Sequence, residues 1–322
     1  MALLVVVLLS SVHCLSLSMN KNSVLVIGGT GRVGRNVVPK LLKKGYDVKV
    51  LVRSKEKAFF IKELKGAHLV EGDVTNMDSL VNACEGCNTV VAVHGMSPSR
   101  FTKPWDFLVH PKHLGNHPYN VNYLGVQKIL AAMSINRCKK LVRITGSLVD
   151  KPAFTWIRVL FNVLLSFTGK WHEASEIAIR RSGLDYTVIR PTGIQDMPAA
   201  ATTTNRTLVL LPGDSSALPP IPGGIAVEDV GELVVRSVSS LPKSSVVCSS
   251  VVHKQADTAG QPIGPKTWDG LLEQMPADTR TIKVRPHKLA ASVYITAFSV
   301  IMASIAKLLF TLAQKAVRLV LK

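Results

Sequence analysis

Acidic side chains are scarce in this sequence: 21 Asp and Glu stand against 39 Lys and Arg, a formal net charge of +18. Aromatic residues are scarcer, at 6% of 322 residues, and no basic run alternates with them. A groove that tracks single-stranded nucleic acid needs charge interleaved with stacking rings, so the basic excess does not point to nucleic acid. It points to anionic lipid and to a phosphorylated small molecule. Cysteine is confined to Cys14, Cys84, Cys87, Cys138 and Cys248 in a chain long enough for a full core, which excludes a disulfide scaffold. Cys84-Glu85-Gly86-Cys87 has redox or zinc spacing, but no second pair or nearby His completes a four-ligand set. Three imidazoles, His110, His113 and His117, lie close in sequence, with Asp106 as the nearby carboxylate. Pro111 and Gly115 prevent the continuous helix that would align them, so no metal site is expected and an irregular substrate-side loop is.

The two ends are greasy. Residues 1–18 open with an unbroken apolar run from Ala2 to Leu9, too short to span a bilayer and suited to a signal or targeting segment, although no basic residue precedes it. Such a segment fits the endomembrane system or the first half of a plastid address. From Thr279 to Lys322 there is no Asp or Glu, and Leu289–Ala306 carries no charge between Lys288 and Lys307. Lys307, Lys315, Arg318 and Lys322 then fall on one helical face of an otherwise apolar stretch. The tail 288–322 reads as a membrane-associated helix that spans the bilayer or lies in its anionic interface. Residues 261–287 read as a linker with a short helix.

Between the ends, strand and helix patterns alternate from Ser23 to about Leu241. Strands are expected at 23–28, 47–52, 67–71, 88–93, 140–146, 186–190 and 245–249. Helices are expected near 32–44, 54–64, 76–84, 119–136, 171–182 and 227–239. This βαβ repetition predicts an α/β fold, a Rossmann-type doubly wound parallel sheet over 19–260, followed by the helical tail. The segments 95–118 and 196–224 read as irregular lids or substrate walls, and the apolar stretch 153–168 as a pocket cap, a membrane contact or an extra core helix.

The most specific stretch is Val24-Leu25-Val26-Ile27-Gly28-Gly29-Thr30-Gly31-Arg32-Val33-Gly34. Apolar residues run into a glycine turn, and a helical pattern (Val33, Val37, Val38, Leu41, Leu42) begins at once. Gly28 permits a tight exit from the strand, Gly31 lets a phosphate approach the backbone, and Gly34 lets the helix pack on the strand. The open N–H groups of the helix start then face a dinucleotide pyrophosphate. The second strand, Val48 to Val52, ends at Arg53-Ser54-Lys55, where an NAD-selective site would carry Asp or Glu. A guanidinium there, with Arg32 in the glycine turn, suits the 2′-phosphate of NADP(H).

Five stretches recur in order: Gly28–Gly34, Leu51-Val52-Arg53-Ser54, Glu71-Gly72-Asp73-Val74, Asn122-Tyr123-Leu124-Gly125-Val126, and Ser182-Gly183-Leu184-Asp185-Tyr186-Thr187-Val188-Ile189-Arg190-Pro191. Over about 23–250 the chain resembles the atypical short-chain dehydrogenase/reductases with an NAD(P)-binding, NmrA-like domain. The resemblance implies that Gly28, Thr30, Gly31, Arg32 and Val33 line the pyrophosphate and that Arg53 meets the 2′-phosphate. It implies that Asp73 and Val74 flank the adenine, and that Val93, His94 and Gly95 lie beside the nicotinamide-side ribose. Thr145, Gly146 and Ser147 then approach the nicotinamide, and Arg190, Pro191 and Thr192 close over it.

The proton-transfer group is where the sequence departs from typical short-chain reductases, which use a Tyr-x-x-x-Lys pair on one helix. The tyrosines at 46, 119, 123, 186 and 294 are followed four residues later by Val50, Tyr123, Gln127, Arg190 and Phe298, so no such pair exists. Active NmrA-like relatives often carry a Lys where this chain has His172, with Lys170 two residues earlier. His172 is a candidate ribose ligand or proton donor, Lys170 a fallback, and Ser147 a candidate hydroxyl beside a substrate carbonyl. Two functions are compatible with these residues. One is an NADPH-dependent reductase of a small apolar carbonyl, enone, quinone or flavin-like ring at a membrane. The other is a non-catalytic NADP(H)-binding redox sensor or scaffold.

Overall fold

The computed structural model describes residues 22–96, 116–147, 149, 167–199, 206–213, 224–239, 244–253 and 268–280, with scattered positions between 296 and 314. The chain alternates through β1 (Ser23–Ile27), α1 (Arg32–Lys43), β2 (Asp47–Val52), α2 (Lys55–Phe59), β3 (His68–Glu71), α3 (Met77–Cys84) and β4 (Thr89–Ala92). It continues with α4 (Gly125–Ile135), β5 (Lys140–Ile144), α5 (Thr168–Arg181), β6 (Asp185–Pro191), β7 (Ile194–Gln195) and β8 (Arg206–Pro212). The described body ends with β9 (Ile225–Ala226), α6 (Val227–Ser239), β10 (Ser244–His253) and α7 (Trp268–Glu273).

Eight strands form one sheet in the order β3-β2-β1-β4-β5-β6-β10-β8. Every neighbouring pair is parallel except β10 with β8. The strand order reverses between β1 and β4, and ligands of such sheets lie beyond the carboxyl ends at that switch. Alternate residues of the central strands feed two cores. Val24, Val26, Val50, Val91 and Val142 pack with Val37, Val38 and Leu41 of α1 and Leu233 and Val234 of α6. Leu25, Ile27, Val90 and Leu141 pack on the other face with Leu80 of α3, Ile129 and Met133 of α4 and Ile179 of α5. The doubly wound Rossmann-type arrangement expected from the pattern is therefore present, and its period-2 strand alternation reflects helices on both faces.

Several elements differ from the sequence expectation. The helix expected over 54–64 is α2 followed by a separate 3-10 turn, Lys62–Leu64, because Ala58, Ile61 and Leu64 all turn toward the core. Ser54 caps α2 by accepting from the Lys57 N–H at 3.2 Å. The helix expected from 119 begins as a wide π turn, Tyr119–Leu124, before α4. The segment 196–224, expected to be irregular, contributes β8 as an antiparallel edge, and β10 runs to His253 to meet it. The fourth and fifth strands stop short of their expected ends, at Ala92 and Ile144, and the third begins one residue late, at His68. The targeting segment 1–18 and most of 95–118 and 153–168 lie outside the described residues. Among the described residues, no helix is long and apolar enough to cross a membrane, and the described tail positions whose exposure is defined are exposed. The expected spanning helix thus has no support from the described residues.

Cys84, Cys87 and Cys138 are buried free thiols in the second core, with Cys87 accepting from Ser23 Oγ at 3.8 Å, so the Cys-x-x-Cys spacing here belongs to packing. The amino-terminal edge of the sheet is tied by residues after α7. Asp278 accepts from Arg180 Nε at 2.9 Å and from the Tyr186 hydroxyl, while its N–H donates to Ser244 O at 2.6 Å. Arg280 donates to Leu184 O and Ser244 Oγ, both at 2.8 Å, and lies over the Tyr186 ring. Burial, and then the bond to Asp278, raise the Tyr186 phenol above its ordinary range. Removing the carboxylate takes away the bonds that Asp278 makes to Arg180 and Tyr186 across this edge. Asp278→Ala is therefore expected to cost about 3 kcal/mol in urea unfolding, with Asp278→Asn losing less. A loss below about 0.5 kcal/mol would show that this tie contributes nothing.

Candidate functional site

The glycine turn sits at the switch point. Gly28 has φ +91°, and a Cβ on it would lie 2.6 Å from the His94 backbone nitrogen. A Cβ on Gly34 would lie 2.2 Å from Gly28 O, so the first turn of α1 rests directly on the strand end. Gly31 N–H donates to Gly28 O at 3.0 Å, and Gly31 occupies the N-cap of α1 with no side-chain cap. The N–H groups that open α1 point out of the turn with Val33 partly buried beneath them. This arrangement fits a pyrophosphate: the first α1 donors have no acceptor among the described residues, and the dipole end is positive. Thr30 is exposed, and its carbonyl accepts from Arg35 Nε at 3.0 Å.

The register of Ile27 with Leu51 places the end of β2 beside that turn. Arg53 emerges there, exposed and without a partner among the described residues. The nearest following acid, Glu56, accepts from Ser54 Oγ at 2.7 Å instead of reaching across the cleft. Arg32 is engaged differently from Arg53. Its guanidinium donates to Ile194 O at 3.2 Å and pairs with exposed Asp196 at 3.2 Å, joining the start of α1 to the segment after β6. At the end of β3, Asp73 Oδ1 accepts from the N–H and hydroxyl of Thr75, at 2.8 and 2.6 Å. That turn sets the wall on which Val74 packs, against the second core.

The opposite side of the cleft is built from the ends of β4, β5 and β6. Val93 N–H donates to Ile27 O at 3.0 Å, which holds His94 against the glycine turn, and Gly95 follows exposed. Thr145 N–H donates to Ile189 O at 2.9 Å and its hydroxyl donates to Glu176 Oε1 at 2.7 Å. Arg190 clasps the same Glu176, with Nη2 to Oε2 at 2.6 Å and Nε to both oxygens at 3.1 and 3.2 Å, and also donates to Gly213 O. Arg190 is thus a buried structural tie between β6 and α5. Pro191 O accepts from the Ser147 N–H at 3.0 Å, and Thr192 is buried beside it. The Ser147 hydroxyl has no partner among the described residues.

The sequence reading did not single out Arg143, the largest fully buried side chain, at the end of β5. Its Nη1 donates to Ala92 O at 3.0 Å and His94 O at 2.6 Å and lies 3.3 Å from His94 Nδ1. The visible signal was a cation inside the apolar strand Leu141-Val142-Arg143-Ile144. Burial lowers its proton affinity, to about 9, and its remaining Nε and Nη2 have no partner. Among the described residues, six of the eight buried polar side-chain atoms without partners belong to Asn122, Arg143, Trp171 and His172. Asn122 lies in the π turn and Trp171 and His172 at the start of α5, the elements that pack beside the end of β5.

His172 Nδ1 is one of those atoms, and burial together with the Arg143 charge holds its pKa down at about 3. His94 is held well below its ordinary value, by burial first and by Arg143 second. Both rings are therefore neutral at pH 7. His172, a candidate ribose ligand or proton donor, is thus a buried neutral ring that can donate or accept one hydrogen bond. Lys170 lies 4.9 Å from the centroid of the Trp171 ring, and burial lowers its pKa. Trp171 contacts Tyr119 edge-on at 4.7 Å and stacks on Tyr123 at 6.1 Å, so the three rings form one aromatic cluster next to His172 in the chain. His117 is buried with Nδ1 accepting from Tyr119 N–H at 3.0 Å, whereas His110 and His113 lie outside the described residues.

The NAD(P)H-binding family model matches residues 28–240. The photosystem II assembly factor Ycf39 of Cyanophora paradoxa is 29% identical over 171 residues, covering 53% of this chain and 45% of that protein. The chloroplastic protein TIC 62 of Arabidopsis thaliana is 25% identical over 278 residues, covering 81% of this chain and 39% of that protein. The chain therefore spans less than half the length of these two relatives. A short-chain dehydrogenase/reductase of Veillonella parvula DSM 2008, crystallised with NADP, superposes with a TM-score of 0.53 at 13% identity. That match covers 75% of this chain and 99% of the other and shows a shared fold.

The buried imidazoles set a pH dependence. His172 and His94 stay neutral in the folded protein but bind protons near pH 6.5 once unfolded, so acid favours the unfolded chain. Stability is full above about pH 6.5 and falls as pH drops through the window toward 3. The urea midpoint is expected to fall between neutrality and about pH 5, and less steeply in His172→Gln. An equal slope in the two proteins would remove His172 from this account.

Proposed function

The chain belongs to the NAD(P)H-binding family, and on that premise we propose that it is an NADP(H)-dependent oxidoreductase of the atypical short-chain type. The observation that carries the cofactor choice is Arg53, exposed beside an uncapped glycine turn, with no partner and no acid reaching it among the described residues. The α1 N–H groups would hold the pyrophosphate, and Arg53 would hold the 2′-phosphate with charge-assisted bonds. When bound, NADPH supplies the hydride.

The chain's own residues shape what receives it. The Trp171, Tyr119 and Tyr123 rings favour a flat, conjugated acceptor such as an enone, quinone or flavin-like ring. The Ser147 hydroxyl is free to bond the acceptor oxygen. Because His94 and His172 are neutral, they orient and hydrogen-bond, and the accompanying proton comes from solvent through the Ser147 hydroxyl. The basic, apolar tail 288–322 would hold the enzyme at a membrane surface, where a small apolar substrate concentrates. The chloroplastic assignment of TIC 62 supports a plastid setting.

A second reading, a non-catalytic NADP(H) sensor or scaffold, is favoured by the missing Tyr-x-x-x-Lys pair and the uncharged His172, and by a relative named as an assembly factor. One experiment decides between them. Titration is expected to show NADPH bound more tightly than NADH, with Arg53→Ala weakening NADPH by roughly tenfold to a hundredfold and leaving NADH unchanged. NADPH oxidation is then measured with quinones, flavins and enones. Turnover with one acceptor class supports the oxidoreductase, and tight binding without turnover assigns the sensor. Equal affinity for the two cofactors would remove the role given to Arg53.

A further inference from the structure

On the described body between 22 and 280, the most exposed large apolar side chains are Phe59 and Phe60, at 78% and 83%. Their exposure follows from the local fold. Ala58, Ile61 and Leu64 take the inward positions of α2 and the turn after it, which leaves the two intervening phenylalanines no core to enter. The rings meet edge to face at 5.8 Å and 88°, forming one protruding wedge. In the same stretch stand Lys55, Lys57, Lys62 and Lys65, all exposed and none in a salt bridge among the described residues, although the charge of Lys55 is felt by Glu56. Of the two acids in the same stretch, Glu56 is occupied with Ser54.

We propose that this Phe59–Phe60 wedge and its lysine rim dock on an anionic lipid bilayer surface. Apolar rings that enter the acyl boundary with lysines at headgroup level are the composition of an interfacial membrane contact. A protein partner fits less well, because the buried centre of protein interfaces is poor in lysine. Exposed ammonium groups on flexible stems match diffuse lipid phosphates, and the net charge of +18 acts in the same direction. The contact is separate from the tail and from the reaction assigned to the cleft. It does place the Arg53 end of the cleft nearest the bilayer.

The full-length protein is mixed with vesicles of phosphatidylglycerol and phosphatidylcholine in equal parts, and amide hydrogen exchange is followed over residues 53–65. Exchange there is expected to slow by roughly an order of magnitude on these vesicles, and much less on pure phosphatidylcholine or in high salt. The double variant Phe59→Ser/Phe60→Ser is expected to lose that protection while keeping the wild-type melting temperature and its NADPH affinity. Lys57→Glu/Lys62→Glu, which leaves the wedge in place, is expected to lose it too. Protein that floats with the anionic vesicles while 53–65 exchanges as in solution would overturn the proposal. So would equal protection on neutral vesicles, or protection that appears without lipid as concentration rises.

Discussion

The contact between the glycine turn and the end of β4 is the constraint on which the site depends. Backbone meets backbone there, because a Cβ on Gly28 or Gly34 would fall at 2.6 or 2.2 Å from main-chain atoms. This closeness seats α1 on the sheet with its first N–H groups open, and it brings His94 to the lip of the same cleft. Everything assigned to the cofactor, from the pyrophosphate donors to Arg53 one strand away, takes its position from that approach.

Electrostatics divides the cleft into two chemically different ends. The Arg53 end is open, basic and solvated, suited to a doubly charged phosphate whose hydration is only partly lost. The other end is enclosed: Arg143 is buried with two unpaired nitrogens, and its charge helps to keep two neighbouring imidazoles neutral. Among the described residues, Glu176 makes no hydrogen bond to Arg143, its carboxylate being bonded by Arg190 and Thr145, but its charge offsets part of the burial that lowers the Arg143 pKa. A site of that kind stabilises negative charge that develops on a bound acceptor better than it stores a proton. In the proposed function, the missing Tyr-x-x-x-Lys pair would shift the proton's source to solvent without removing the groups assigned to the cofactor.

Local signals in the sequence are readable where chain neighbours do the work. The glycine turn, the uncapped α1, Arg53 and the period-2 strands are all set by residues adjacent in sequence or by burial on both faces of a parallel sheet. The edge strand β8 was missed because its partner, β10, lies far along the chain and its flanks are rich in turn residues. The single helix expected over 54–64 broke because Ala58, Ile61 and Leu64 all face the core, a demand set by packing. Arg190 read as a residue over the nicotinamide, yet its guanidinium is spent on Glu176, a pairing visible only once β6 and α5 meet. Arg143 left a trace, one cation in an apolar strand, but its link to His94 depends on parallel pairing of β4 with β5.

The central claim is that Arg53 reads the 2′-phosphate of NADP(H), and phosphorus NMR of bound NADP+ tests it most directly. A free phosphate monoester takes up its second proton near pH 6. Held by the guanidinium, the 2′-phosphate should stay dianionic well below that pH in the wild-type protein and titrate normally in Arg53→Ala. A 2′-phosphate resonance that titrates identically in both proteins would contradict the account.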